Sequence, residues 1–88
     1  MYKPKNHHER IIHRLKISEG QLKKVISMVE NGEYCIDVIH QLQAVQKALR
    51  EIDHAILENH LKTCTTKALR KGNSKTAITE IMQILKKW

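Results

Sequence analysis

The chain has 88 residues, with 16 Lys and Arg against 9 Asp and Glu and a formal net charge of +7. That length allows one small domain with a marginal core, which makes association with further copies plausible on size alone. No apolar run approaches the ~20 residues of a membrane span, and the positive balance favours a polyanionic partner, DNA foremost. Aromatic residues are scarce, with no Phe, one Trp and two Tyr. Single-stranded nucleic acid bound by base stacking is therefore disfavoured. The first eight residues lack the apolar core of a signal peptide, so the chain reads as cytoplasmic. In that reducing compartment two cysteines are more often thiolate ligands or redox sensors than a disulfide.

Residues 1–5 read as a flexible basic arm, and residues 6–88 as a single three-helix domain. The first helix opens at Asn6, a capping residue with Glu9 three positions on. Ile11, Leu15, Ser18, Leu22, Val25 and Val29 step 4-3-4-3-4, the spacing of a bundle seam. Asn31-Gly32 ends it. The second helix starts at Tyr34 or Cys35 and runs to Arg70-Lys71-Gly72, with no Gly or Pro from Glu33 to Lys71. Its seam is Val38, Leu42, Val45, Leu49, Ile52 and Ile56, widened by Ile36, Ile39 and Leu57. About 36 residues of helix measure about 54 Å. A shorter first helix and a short third cannot cover that length, whereas a partner chain can. The third helix opens with Asn73 or Ser74 as cap and carries Ile78, Ile81, Leu85 and Trp88 as its apolar stripe. The fold class is all-α.

Cys35, His60 and Cys64 are the residues that carry chemistry. His60 and Cys64 stand at i and i+4, on one helical face. Cys35 lies near a helix N-terminus, where the macrodipole favours a thiolate. Along a continuous helix, Cys35 is about 37 Å from His60, far beyond metal bonds of about 2.0–2.3 Å. The three can meet only across two chains. Two long helices crossing antiparallel near Ala48 and Leu49 would bring them together twice per dimer. Two thiolates with one imidazole suit Cu(I), whereas Zn(II) or Ni(II) would want a fourth ligand, which His7 or His8, close to the N-terminal arm, could supply. Each residue also has a plain reading: a buried structural cysteine, a surface histidine. Nothing resembles a phosphate loop, a nucleophile motif or a paired-carboxylate pocket, so no enzyme is expected.

These residues resemble the copper-sensing operon repressor (CsoR) family of bacterial metal-sensing repressors. The resemblance covers nearly the whole chain. It is strongest from Glu33 through Tyr34 and Cys35 to Gln46, at Asn59 to Cys64, and at Arg14, Leu15, Lys16, Glu19, Gly20 and Gln21. It implies three helices, an antiparallel dimer through the long second helix, and a dimer of dimers. It further implies Cu(I) held trigonally by Cys35 of one subunit and His60 and Cys64 of the other. Tyr34 and Glu80 would then link the metal site to the DNA-binding form. Nickel or cobalt sensors of the family draw a ligand from an N-terminal histidine. That position aligns with Lys3, with His7 and His8 nearby. Formaldehyde-responsive members lack the second cysteine, and persulfide-responsive members lack the histidine.

No helix-turn-helix is legible. The resemblance implies a broad basic face on duplex operator DNA, with Arg14 and Lys16 matching the family's patch. Lys47 and Arg50 add charge on the second helix, and His54 stands where copper-sensing relatives often carry Arg. The expected function is a Cu(I)-responsive repressor that leaves its operator when Cu(I) binds. The alternatives are a persulfide sensor using Cys35 and Cys64, a Ni(II) or Zn(II) sensor, and a copper-buffering protein.

Overall fold

The structure is a computed structural model and describes residues 6–88. The basic arm expected over residues 1–5, Lys3 included, lies outside the described residues. The elements in chain order are α1 (His7–Glu30), α2 (Cys35–His60), a π-helical turn (Leu61–Thr65), α3 (Thr66–Arg70) and α4 (Ser74–Lys86). No strand occurs among the described residues, as expected for an all-α chain. Two compact units are distinguished, Met1–Ile56 and Leu57–Trp88. No helix is long and apolar enough to cross a membrane among the described residues.

In the first unit the start of α1 follows its capping chemistry. Asn6 is extended (φ −152°, ψ 176°), and its side chain accepts the Glu9 N–H at 2.8 Å. The far end closes as a Schellman motif. The Gly32 N–H donates to Val29 O at 3.1 Å, and the Glu33 N–H donates to Met28 O at 3.0 Å. Gly32 has φ +66°, which a side chain would strain.

The paired seams are only half filled. In α1 the buried members are Ile11, Ser18 and Val25; in α2 they are Val45 and Ile52, with Val38 half-buried. The alternate members stay open, including Leu15 (42 % exposed), Leu22 (44 %) and Leu49 (43 %). Thus the hairpin buries every second seam position. Met28 is buried in place of the expected Val29.

In the second unit, the single helix expected to Arg70 is interrupted by the Leu61–Thr65 π turn. Threonine hydroxyls compete for backbone carbonyls there, which apolar spacing does not register. Gly72 (φ +82°) then repeats the closure seen at Gly32. The Gly72 N–H donates to Leu69 O at 3.2 Å, and the Asn73 N–H to Ala68 O at 2.8 Å. Asn73 takes the cap position of α4 without a side-chain capping bond. The α4 stripe differs from expectation. Ala77 is the buried residue, while Ile78, Leu85 and Trp88 are exposed and Ile81 is half-buried.

Glycine substitutions test these closures. Gly32→Ala and Gly72→Ala should each cost about 1–2 kcal/mol, the penalty of a left-handed side-chain residue. Gly20→Ala should gain up to about 1 kcal/mol, since an added Cβ there meets nothing within 4 Å inside a helix. Urea unfolding of the three variants beside the parent provides the measurement.

Candidate metal and DNA sites

The π turn positions the first pair of candidate ligands. His60 is the last residue of α2, and Cys64 is the fourth residue of the turn. Both line one cavity of about 410 Å³, together with Thr65, Asn73, Thr76 and Glu80. The expected sharing of one face therefore survives the change from α to π register. Glu80 enters the same cavity because α3 packs on α4.

Around this cavity the hydrogen bonding is local. Thr63 Oγ1 lies 2.8 Å from Asn59 O and 3.7 Å from Cys64 Sγ. The carbonyl is the better acceptor for its single proton. Lys62 and Glu58 form an exposed i,i+4 pair at 2.9 Å. The hydrogen bond from Lys62, reinforced by its charge, holds the Glu58 carboxyl below the usual value. An ion pair this exposed contributes little to stability.

Cys35 is the first residue of α2, and Tyr34 directly precedes it. The thiol is free and exposed, and Tyr34 is exposed as well. The Tyr34 carbonyl accepts the Val38 N–H at 3.2 Å, so Tyr34 is held by the first turn of the helix. Thus one chain brings His60, Cys64 and Glu80 together, while Cys35 and Tyr34 belong to the opposite end of α2. No group of three His, Cys, Asp or Glu side chains able to hold a metal occurs among the described residues. The Cys64 thiol and the His60 imidazole line one cavity, and a soft thiol with an imidazole fits a soft metal ion as two of its ligands.

The basic candidates divide by face. Arg14 lines a groove of about 170 Å³ in the first unit, with Ser18, Gln21, Ala48 and Glu51. Lys16, two residues on, points about 200° away around α1. Lys47 and Arg50 are exposed and stand at i and i+3 on α2, as neighbours on one face. Sequence reasoning missed Gln21 and Glu51 as groove residues, although Gln21 falls seven residues after Arg14, on the same side of α1. It also missed Thr65; the run Thr63, Thr65, Thr66 was the available signal.

A thiol and an imidazole lining one cavity, in an all-helical chain of net charge +7, are what a metal-responsive regulator requires. A sequence profile of the metal-sensitive transcriptional repressors matches residues 7–87, and the chain belongs to that family. Its members are regulators of transcription rather than enzymes, and DNA is their partner. Its relatives there are of the CsoR type. The copper-sensing transcriptional repressor CsoR of Bacillus subtilis is 36% identical over 87 residues, covering 99% of this chain and 86% of that one. The repressor of the same name from Mycobacterium ulcerans is 40% identical over 75 residues, covering 85% of this chain and 64% of that one. The crystal structure of the copper-sensing repressor CsoR with Cu(I) from Geobacillus thermodenitrificans superposes with a TM-score of 0.89 at 39% identity. That match covers 99% of this chain and 91% of the other.

Proposed function

We propose that this chain is a Cu(I)-responsive repressor, cytoplasmic and assembled as a dimer of dimers, which holds operator DNA without metal and releases it with Cu(I). The observation that carries this reading is the placement of His60 and Cys64 on one cavity while Cys35 opens the same helix. Copper-sensing relatives with this fold support the choice of metal. Residues 6–88 act as one regulatory domain, preceded by a basic arm.

His60 and Cys64 of one chain and Cys35 of a second copy would hold Cu(I). When bound, the ion supplies a soft cross-link between two helix ends. The chain's own residues do the rest. Glu80, which lines the cavity with His60, would orient the imidazole through its free nitrogen, as supporting carboxylates do at metal sites. Tyr34 sits beside Cys35 and couples that end of α2 to the same change. Arg14, Lys16, Lys47 and Arg50 supply charge for phosphates. The form that brings the two helix ends together has the lower DNA affinity. By linkage, DNA then weakens Cu(I) binding by the same factor.

The open seam positions favour the partner chain. Leu49 is 43 % exposed beside the proposed crossing point. Leu49→Lys leaves the buried seam of the single chain intact, so its effect reports on assembly. Sedimentation velocity should show monomer, with a loss of about 2 kcal/mol or more per chain, the scale of one buried leucine. An unchanged assembly would refute a crossing at Leu49.

The deciding experiment is an anaerobic Cu(I) titration of the protein on a candidate operator, with Ni(II), Zn(II) and persulfide run beside it. Release by Cu(I) alone supports the reading; retention of DNA with Cu(I) bound refutes it. The two exposed free thiols give a second reading some weight, a sulfane-sulfur sensor. Under that reading, a persulfide donor would pass its sulfane sulfur to a cysteine and leave as a thiol, and attack by the second copy's cysteine would expel hydrogen sulfide to join Cys35 to Cys64 through a di- or trisulfide, visible by mass spectrometry as a cross-linked dimer.

A further inference from the structure

The turn that carries Cys64 also contains a buried polar atom with no hydrogen-bond partner among the described residues, Thr65 Oγ1. Other threonines of this chain show the ordinary solution. Thr63 and Thr79 each donate to the carbonyl four residues back, Asn59 O and Lys75 O, both at 2.8 Å. For Thr65 that carbonyl is Leu61 O, and its neighbour has taken it. Thr66 Oγ1 donates to Leu61 O at 2.9 Å, reaching five residues back. A carbonyl oxygen has two lone pairs. Thr66 Oγ1 holds one of them on Leu61 O, while Thr65 Oγ1, at the four-residue spacing from the same oxygen, holds none, so the two hydroxyls are rivals for it.

The two outcomes correspond to two backbone registers. At Leu61 O, the five-residue reach of Thr66 goes with the π turn and a four-residue reach from Thr65 would go with an α register; Thr63, which bonds Asn59 O ahead of that carbonyl, reaches four residues in the π turn as well. The registers are close in conformation. His60 (φ −60°, ψ −43°), Thr65 (−65°, −43°) and Thr66 (−60°, −43°) all sit in the α region. Moving the register by one residue turns the downstream helix by about 100°. Cys64 lies inside the segment that shifts, and His60 lies just before it.

We propose that Thr65 and Thr66 are a positioning pair: whichever hydroxyl holds Leu61 O sets the register of the turn, and with it the direction of the Cys64 thiol beside His60. Thr66 holds the π register, in which both ligand candidates line one cavity. Thr65 is the buried competitor that draws the turn toward α. The importance of this for sensing rests on the reading of Cys64 as a metal ligand.

The test uses the full chain with Thr66→Val, Thr65→Val and Thr66→Ser. The ¹³C shift of the Leu61 carbonyl in the metal-free protein reads the register. The rate of Cys64 alkylation by iodoacetamide, in a Cys35→Ala background, reads the thiol's direction. Cu(I) affinity is read by competition with a chelator. Thr66→Val should move the carbonyl shift and weaken Cu(I) binding about fivefold, the scale of one net hydrogen bond. Thr65→Val should move the shift the opposite way and leave Cu(I) binding as tight or tighter. Thr66→Ser, which keeps the hydroxyl, should match the parent. Opposite signs from two neighbouring Val substitutions are not what a packing role gives. Shifts of the same sign in both, or in neither, would overturn the proposal. A parent chain that binds no Cu(I) would sink the metal reading, and the carbonyl and alkylation measurements would still decide the register.

Discussion

Chains with Cys35→Ala and chains with Cys64→Ala will each fail to answer Cu(I), yet a purified heterodimer of the two will recover half the parent's Cu(I) stoichiometry. The reason is geometric. Cys35 begins α2 and His60 ends it, so in the proposed antiparallel pair each site takes one cysteine from each chain. In the heterodimer both substitutions fall in one site, and the other site is untouched. Each homodimer has both sites broken. Loss of a supporting residue costs a metal site about 10–100-fold, and loss of a thiolate should exceed that. Operator binding by the metal-free variants should persist, since neither cysteine is among the cationic residues proposed to meet phosphates. Glu80→Ala belongs to the milder class. It should bind Cu(I) while losing part of a coupling that is typically about 1–3 kcal/mol. Cu(I) titration with differently tagged, co-purified chains makes the measurement. A heterodimer with no recovery would place the site elsewhere.

Arg14→Ala should flatten the salt dependence of operator binding more than any exchange of a lysine remote from the groove. Removing one cation that neutralises a phosphate changes the slope of log K against log salt by about 0.9. A tetramer repeats Arg14 in every chain, so the slope would fall by as much as about 3.6 if all four copies touch phosphate. Arg14 and Lys16 lie on different faces of α1, so comparing their Ala variants shows which face meets DNA. Lys47 and Arg50 are neighbours on one face and should act together. Lys23→Ala serves as the reference. Equal slopes for all of these variants, or a flat response of the parent, would refute a phosphate-binding role.

Helix ends were the most legible feature of this sequence. Asn6 with Glu9, Gly32 and Gly72 act through local backbone chemistry, and local chemistry is written in consecutive residues. The seams were half legible. A 4-3 apolar repeat says which residues seek cover, but not whether the covering helix belongs to the same chain. Hence Ile11 and Val45 are buried here while Leu15 and Leu42 are not. The α4 stripe misled for the same reason. The π turn escaped because it arises from competition among hydroxyls for carbonyls, which leaves the apolar spacing unchanged. At the site, the pairing of His60 with Cys64 came from spacing alone. The approach of Glu80 needed α4 folded against α3, and for Glu80 the sequence offered only the family resemblance.

The half-filled seams also bear on how this protein would behave at low concentration. A chain whose alternate leucines stay uncovered until a second copy arrives draws part of its stability from mass action. Its melting temperature should rise with protein concentration. A freshly made, solitary chain would sit closer to the unfolded state, where proteases act. For a regulator made in few copies, the rate of synthesis would then set both how much protein is present and how long each copy survives.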